Sequence, residues 1–329
     1  MELSQKQRHV FLYHKGIQDY LENFEILGIE VLPSVWRSDN TVLKIETDAG
    51  PFVFKHIFDI SEILELEQHK KLKVSYKGFT PRLFVVDGQA FLMEYVEGED
   101  FFSLIGKMPA EKVAEKMKIA GSYLAKVYSS VKEKKKSSGL GAVGYTASHY
   151  LAKCLKKGSI SASDAKSLEE FLQLWAPVMS SYEGQTAHCD LNCANLIISD
   201  SKARAIDPEF DYCNSQDIAR DLGRYSASIF LNNFDYNGQN LEESAMILGS
   251  FLSSFAEKYP QDPELAKRAM FYHAQSALSF SNFNTKSVDP KMYSEYSVIL
   301  FGLPPPKSFG ELALQLSESF KDVSGNYLR

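Results

Sequence analysis

The sequence predicts an α+β protein of two lobes, a small β-rich N-terminal lobe and a larger, mostly helical C-terminal lobe. Three observations carry this. The 329 residues exceed what one hydrophobic core ordinarily serves. Strand-like alternation of apolar and polar residues crowds the first hundred or so positions. From about Ser103 onward apolar residues recur at helical spacing, with one interruption. The boundary is placed so that the lobes are 1–96 and 97–329.

Residues 4–24 put Val10, Phe11, Ile17, Tyr20 and Leu21 on one face, which predicts an amphipathic helix. The run TVLKIETDAGPFVFKHI alternates around Asp48-Ala49-Gly50, a hairpin signal. Residues 59–75 read as a helix that Asp59 or Ser61 would cap. Two further strands, PRLFVVDG and QAFLMEYVEG, meet at Asp87-Gly88. Beyond them, helices are expected at 110–136, 161–182, 217–232, 240–258, 263–281 and 309–321, with a helical pattern at 146–157. The interruption is 186–210, which reads as loop and short strands.

Apolar residues make up 44% of the chain and charged residues 24%, the proportions of an ordinary globular protein. The formal net charge of −6 is shared evenly, so neither nucleic acid nor an anionic membrane surface is expected as a partner. The opening MELSQKQRHVFLYHKG lacks an apolar run behind a basic start, so no secretory signal is expected. No apolar stretch approaches the roughly 18 residues that span a bilayer. Four cysteines (Cys154, Cys189, Cys193, Cys213) make no disulfide framework in a chain of this size. A reduced, cytoplasmic monomer or homodimer is the expectation.

The chemistry is concentrated in TAHCDLNCANLIISDSKARAIDPEF, residues 186–210. Phosphoryl transfer to a hydroxyl needs a carboxylate that orients the acceptor and takes its proton, and oxygen ligands for the Mg²⁺ that bridges the phosphates. Asp190, Asn195 and Asp207 supply these in order: a loop base, a metal-binding amide five residues later, and a metal-binding carboxylate returned by a strand–turn–strand passage. His188-x-Asp190 followed by Asn195 is a weak match alone; the continuation to Asp207-Pro208-Glu209 gives it weight.

This segment resembles the catalytic loop and metal motif of the aminoglycoside phosphotransferase and choline kinase-like family, relatives of the protein kinases. The family usually reads H-G-D, so Cys189 stands where glycine is typical. The resemblance implies a bilobal protein-kinase-like fold and an ATP-dependent, Mg²⁺-dependent kinase acting on a small-molecule hydroxyl. It further implies that Lys55, in PFVFKHI, pairs the α- and β-phosphates, and that Glu67 holds that lysine, with Glu65 on the same predicted helix as the alternative. Residues 91–98 resemble the inter-lobe hinge, which implies that Met93 backs the adenine, the Glu94 carbonyl accepts from its amine and the Val96 amide donates to its ring. The phosphate-covering turn falls at 32–40. It holds no glycine, and Ser34, Ser38 and Asn40 are its small residues, with Ser38 and Asn40 assigned to the nucleotide.

Other patterns carry less. Gly139-x-Gly141-x-x-Gly144 matches a dinucleotide fingerprint but follows EKKKSS, which reads as a lysine-rich turn, so a link between helices is expected. His188, Cys189, Cys193 and Cys213 lack the C-x-x-C spacing of structural zinc sites, and His188 is expected to brace the loop. Asp217, Arg220, Asp221 and Arg224 follow at helical spacing; Asp221 is the candidate anchor of the catalytic loop, and a self-paired helix face is the competing account. Phe271, Tyr272, Phe280, Phe283, Tyr293 and Tyr296 are expected to fill core. The rivals to a small-molecule kinase are a non-enzymatic protein of spore-coat type, against which Lys55, Asp190, Asn195 and Asp207 argue, and a protein Ser/Thr kinase, against which Asp-Pro-Glu and the lack of a later Ala-Pro-Glu argue.

Overall fold

A capping box opens the chain. Ser4 Oγ accepts from the Gln7 amide while Gln7 Oε1 accepts from the Ser4 amide, starting helix α1 (Gln5–Tyr13). The single helix expected over 4–24 is two, because His14 leaves helical geometry (φ −87°, ψ 87°) before α2 (Lys15–Leu21). The computed structural model describes residues 4–32, 41–57, 78–130, 135–208, 217–237, 240–259, 263–282 and 288–327. The chain divides into two compact units, Met1–Gly98 with Arg204–Phe210, and Glu99–Ala203 with Asp211–Arg329.

The first unit is built on a five-stranded antiparallel sheet, in the order β1 (Ile26–Val31), β2 (Thr41–Thr47), β3 (Phe52–His56), β5 (Ala90–Glu94), β4 (Leu83–Asp87). Both expected hairpins form, and the turns use Gly50 (φ 110°) and Gly88 (φ 60°), conformations that cost glycine nothing sterically. Period-2 alternation then sorts the side chains. Phe52 and Phe54 face Phe11, Ile17 and Leu21 of the two helices, together with Leu43, Ile45 and Leu92. Val53, Ile57, Phe91 and Met93 form a second cluster on the other face. Lys55 lies between Val53 and Ile57 in that alternation, so the central strand delivers a lysine amino group into an apolar setting.

The second unit is mostly helical: α3 (Phe101–Ile105), α4 (Ala110–Ser129), α5 (Leu140–Tyr145), a π-helical turn (Thr146–Leu151), α6 (Ala152–Lys157), α7 (Ala162–Met179), α8 (Ile218–Tyr236), α9 (Leu241–Lys258), α10 (Pro263–Phe280), α11 (Pro290–Gly302) and α12 (Phe309–Tyr327). Two glycines permit its tightest crossings. A Cβ at Gly121 would fall on the Phe251 carbonyl of α9, and one at Gly223 on the Ala269 carbonyl of α10. Phe271, Tyr272, Tyr293 and Tyr296 are fully buried, so this part of the aromatic set is core; Phe283 lies outside the described residues. Where a turn was expected before the glycine run, Lys135–Ser137 instead forms β6, which pairs antiparallel with β7 (Tyr182–Gly184). An antiparallel edge of three residues is still not the parallel strand a dinucleotide fingerprint requires. No described helix is long and apolar enough to cross a membrane.

Candidate active site

In the second unit the loop between β7 and β8 (Leu196–Ile198) carries Asp190 and Asn195. Its backbone is pinned from α8. Asp221 is fully buried, and its carboxylate accepts from the His188 amide (2.6 Å), the Cys189 amide (2.8 Å) and the Tyr128 hydroxyl (2.7 Å). This settles the choice left open by the helical spacing in favour of the anchor. Asp217 acts instead on the helix itself, capping α8 through the Ala219 amide and pairing with buried Arg268. His188 is itself buried, with its backbone amide held by Asp221.

Within this clamp Cys189 adopts φ 70°. Glycine adopts that left-handed geometry at no steric cost, whereas the Cβ of Cys189 costs on the order of 1 kcal/mol in it. Among the described residues the only other non-glycine with positive φ is Asp207, at 53°. Among the described residues this strain falls at two positions, both inside the segment that the sequence singled out.

Asp190 is surrounded by donors. Its Oδ2 accepts from Asn195 Nδ2 (2.8 Å) and Asn192 Nδ2 (3.2 Å), and its Oδ1 forms a close ion pair with Arg224. Asn195 Nδ2 also donates to the Asp190 carbonyl (2.9 Å), so both amide protons are committed to Asp190 and the Asn195 Oδ1 is the end left for a cation. An oxygen donor of this kind suits Mg²⁺, which takes few protein ligands and fills its octahedron with phosphate oxygens and water.

In the first unit Lys55 Nζ lies 2.9 Å from Asp207 Oδ1; the lysine is 5% exposed and the aspartate 39%. The segment bearing Asp207 is tied down by β9 (Ala203–Ala205). The Ala205 amide donates to the Phe79 carbonyl (2.9 Å), and the Arg204 guanidinium forks onto Glu94 (Nη2 to Oε2, 2.7 Å) while Nη2 also donates to the Thr80 carbonyl (2.9 Å). Glu94 ends β5, Met93 is buried beside it, and Val96 follows just beyond the strand. The structure therefore brings Lys55 to Asp207 and Asp190 to Asn195. Glu67, Glu65, Ser38 and Asn40 lie outside the described residues.

The sequence left Arg204 and Tyr128 unassigned, and gave Arg224 no role beyond a helix face. Arg204 sits 110 positions from Glu94 and Tyr128 sits 93 from Asp221, so no local spacing marks either pair. For Arg224 a signal exists, its i+3 relation to Asp221 on one helix face.

Burial pushes the Asp221 carboxyl up to about 6, against the lowering effect of its hydrogen bonds from Tyr128, His188 and Cys189. A carboxyl raised in the fold stabilises it fully below its unfolded value, near 4, and that contribution is lost as pH rises through about 6. At about 1.4 kcal/mol per pH unit, the loss is roughly 3 kcal/mol. Asp221→Asn should flatten the stability slope between pH 4 and 6. It should also lower stability by about 1–3 kcal/mol at pH 7, because one amide oxygen cannot serve three donors. Urea unfolding across that range checks both; an unchanged slope would refute the buried-carboxyl account.

No family model matches the chain, and no curated protein matches its sequence. Solved structures do match. A candidate fructosamine-3-kinase from Thermobifida fusca is 15% identical with a TM-score of 0.54, over 87% of this chain and 96% of that one. A choline/ethanolamine kinase family protein from Mesorhizobium loti is 15% identical with a TM-score of 0.54, over 88% and 92%. An ethanolamine kinase from Plasmodium vivax is 14% identical with a TM-score of 0.52, over 89% and 85%. With its antiparallel N-terminal sheet and helical C-terminal part, the chain has the protein-kinase-like fold that these proteins share.

Proposed function

We propose that the protein is an ATP-dependent, Mg²⁺-dependent phosphotransferase that moves the γ-phosphate to a hydroxyl of a small molecule. The observation that carries this reading is the ion pair between buried Lys55 and Asp207. A buried amino group is costly unless paired, and this pair combines a phosphate-binding cation with a metal-binding carboxylate. The names of the structural neighbours, kinases of choline, ethanolamine and fructosamine, favour the same class.

In this reading Asp190 orients the acceptor hydroxyl and takes its proton as the oxygen attacks the γ-phosphorus. A new O–P bond forms, the P–O bond to ADP breaks, and the proton stays on the carboxylate. Asn195 and Asp207 hold Mg²⁺, which supplies charge neutralisation at the phosphates. Lys55 contacts the α- and β-phosphates; Met93, the Glu94 carbonyl and the Val96 amide hold the adenine; Glu67, Ser38 and Asn40 complete the nucleotide site.

Lys55 gives a clean check. Lys55→Met keeps the apolar stem and removes the charge, so ATP affinity should fall about ten- to a hundredfold while adenosine affinity holds. An equal loss for adenosine would mean that Lys55 supports only the fold of the sheet.

The reading as a whole is tested by ADP release with a panel of sugars, thiosugars, choline, ethanolamine and aminoglycosides at several ionic strengths. The part of the chain after residue 96 nets only −3, too little to steer a polycation, so an acceptor that is not strongly polycationic is expected. ADP release with none of them, or phosphate appearing only on protein, would sink the reading. Efficient aminoglycoside turnover that falls steeply with salt would refute the charge argument.

A further inference from the structure

Helix α8 does more than pin the backbone of the catalytic loop. One turn after Asp221, Arg224 reaches the Asp190 side chain and pairs with Oδ1, opposite the oxygen that Asn195 and Asn192 hold. Asp190 is 16% exposed and Arg224 32%, so both sit at the border of solvent, where an acceptor would arrive. The same helix face thus fixes the loop through Asp221 and the carboxylate through Arg224.

We propose that Arg224 is a positioning residue that holds the Asp190 carboxylate and cancels its charge. It thereby sets the acceptor class as uncharged hydroxyl compounds rather than amino alcohols whose ammonium lies one or two carbons from the reacting oxygen. The proposal rests on Asp190 being the base. A hydroxyl that reaches Asp190 brings its neighbouring substituents within about 5 Å of both charges. At that distance, and at the effective dielectric of a protein surface, a lone carboxylate favours an ammonium by on the order of a hundredfold, before screening by salt. A guanidinium paired to the same carboxylate cancels most of that advantage, whereas a neutral hydroxyl gains or loses little either way.

The test uses matched acceptors that differ by an amine in place of a hydroxyl: glucosamine with glucose, and ethanolamine with ethylene glycol. For the full chain, kcat and KM are measured with wild type, Arg224→Gln and Arg224→Lys, with melting temperature as the control for folding. Wild type should favour the neutral member of each pair. Arg224→Gln should raise the amine-to-neutral ratio of kcat/KM about tenfold or more, chiefly by lowering KM for the amine, and lower kcat for the neutral acceptor. Arg224→Lys, which keeps the charge, should leave the ratio within about threefold of wild type. A ratio unmoved in Arg224→Gln, with all acceptors losing equally, would reduce Arg224 to a structural role and overturn the proposal. So would a wild type that prefers the amine. A wild type that phosphorylates neither member of any pair, yet releases ADP with another acceptor of the panel above, would overturn this proposal and leave the kinase reading standing.

Discussion

Asp190→Asn is expected to lower turnover by about a hundredfold or more while ATP still binds. General-base catalysis supplies about that much, and the substitution removes the proton acceptor while keeping the outline of the side chain. The surroundings make the change more than a lost charge. Asn195 and Asn192 donate to Oδ2, and the Arg224 guanidinium forms an ion pair with Oδ1. An amide at this position has one oxygen to offer, so its NH₂ group must face either Arg224 or the two asparagines, a donor against a donor. That mismatch costs roughly 1–3 kcal/mol of stability and is separate from the catalytic loss. Measuring the melting temperature, nucleotide affinity and single-turnover transfer together distinguishes the two. A variant that is folded, binds ATP and has lost transfer is the expected result. Near-normal turnover would remove Asp190 from the role of base.

The second large effect is expected at Asp207. Removing its carboxylate should abolish the Mg²⁺-dependent gain in ATP affinity and cut transfer by at least about a hundredfold, since metal neutralisation of the phosphates contributes several kcal/mol. Asn is the better replacement than Ala. The backbone at 207 has φ 53°, which Asn tolerates nearly as well as Asp and Ala does not. Asn also keeps an oxygen within reach of the Lys55 amino group, which is 5% exposed and lies 2.9 Å from Asp207 Oδ1. Titrating ATP with and without Mg²⁺ decides the matter. If metal tightens ATP binding equally in wild type and Asp207→Asn, Asp207 is not a ligand.

Much of the fold was legible because its signals are local. Alternation in TVLKIET and PFVFKHI around a glycine turn needs no knowledge of the rest of the chain, and it places Lys55 on a central strand. What escaped had no local mark. Helix α11 is apolar almost all round, with Met292, Tyr293, Tyr296, Leu300 and Phe301 buried, so it shows no amphipathic period to count. The break at His14 follows from docking two short helices on one sheet face, where Gly16 donates its amide to Asp87, 71 residues away. In the site, the loop residues could be named from spacing because their chemistry is contiguous in sequence. Of the groups that set their geometry, Tyr128 and Arg224 come from other elements, and Arg204, inside the segment, meets its partner Glu94 only in the folded chain.

Transfer of phosphate from ATP to carbon-bound oxygen is observed directly by ³¹P NMR of the protein with Mg²⁺-ATP and a mixture of hydroxyl compounds. A phosphate-ester resonance that grows in step with ADP is expected, growing more slowly by about a hundredfold or more with Asp190→Asn and missing with EDTA. Growth of inorganic phosphate alone, or an ATP spectrum unchanged over hours with every acceptor, would contradict it.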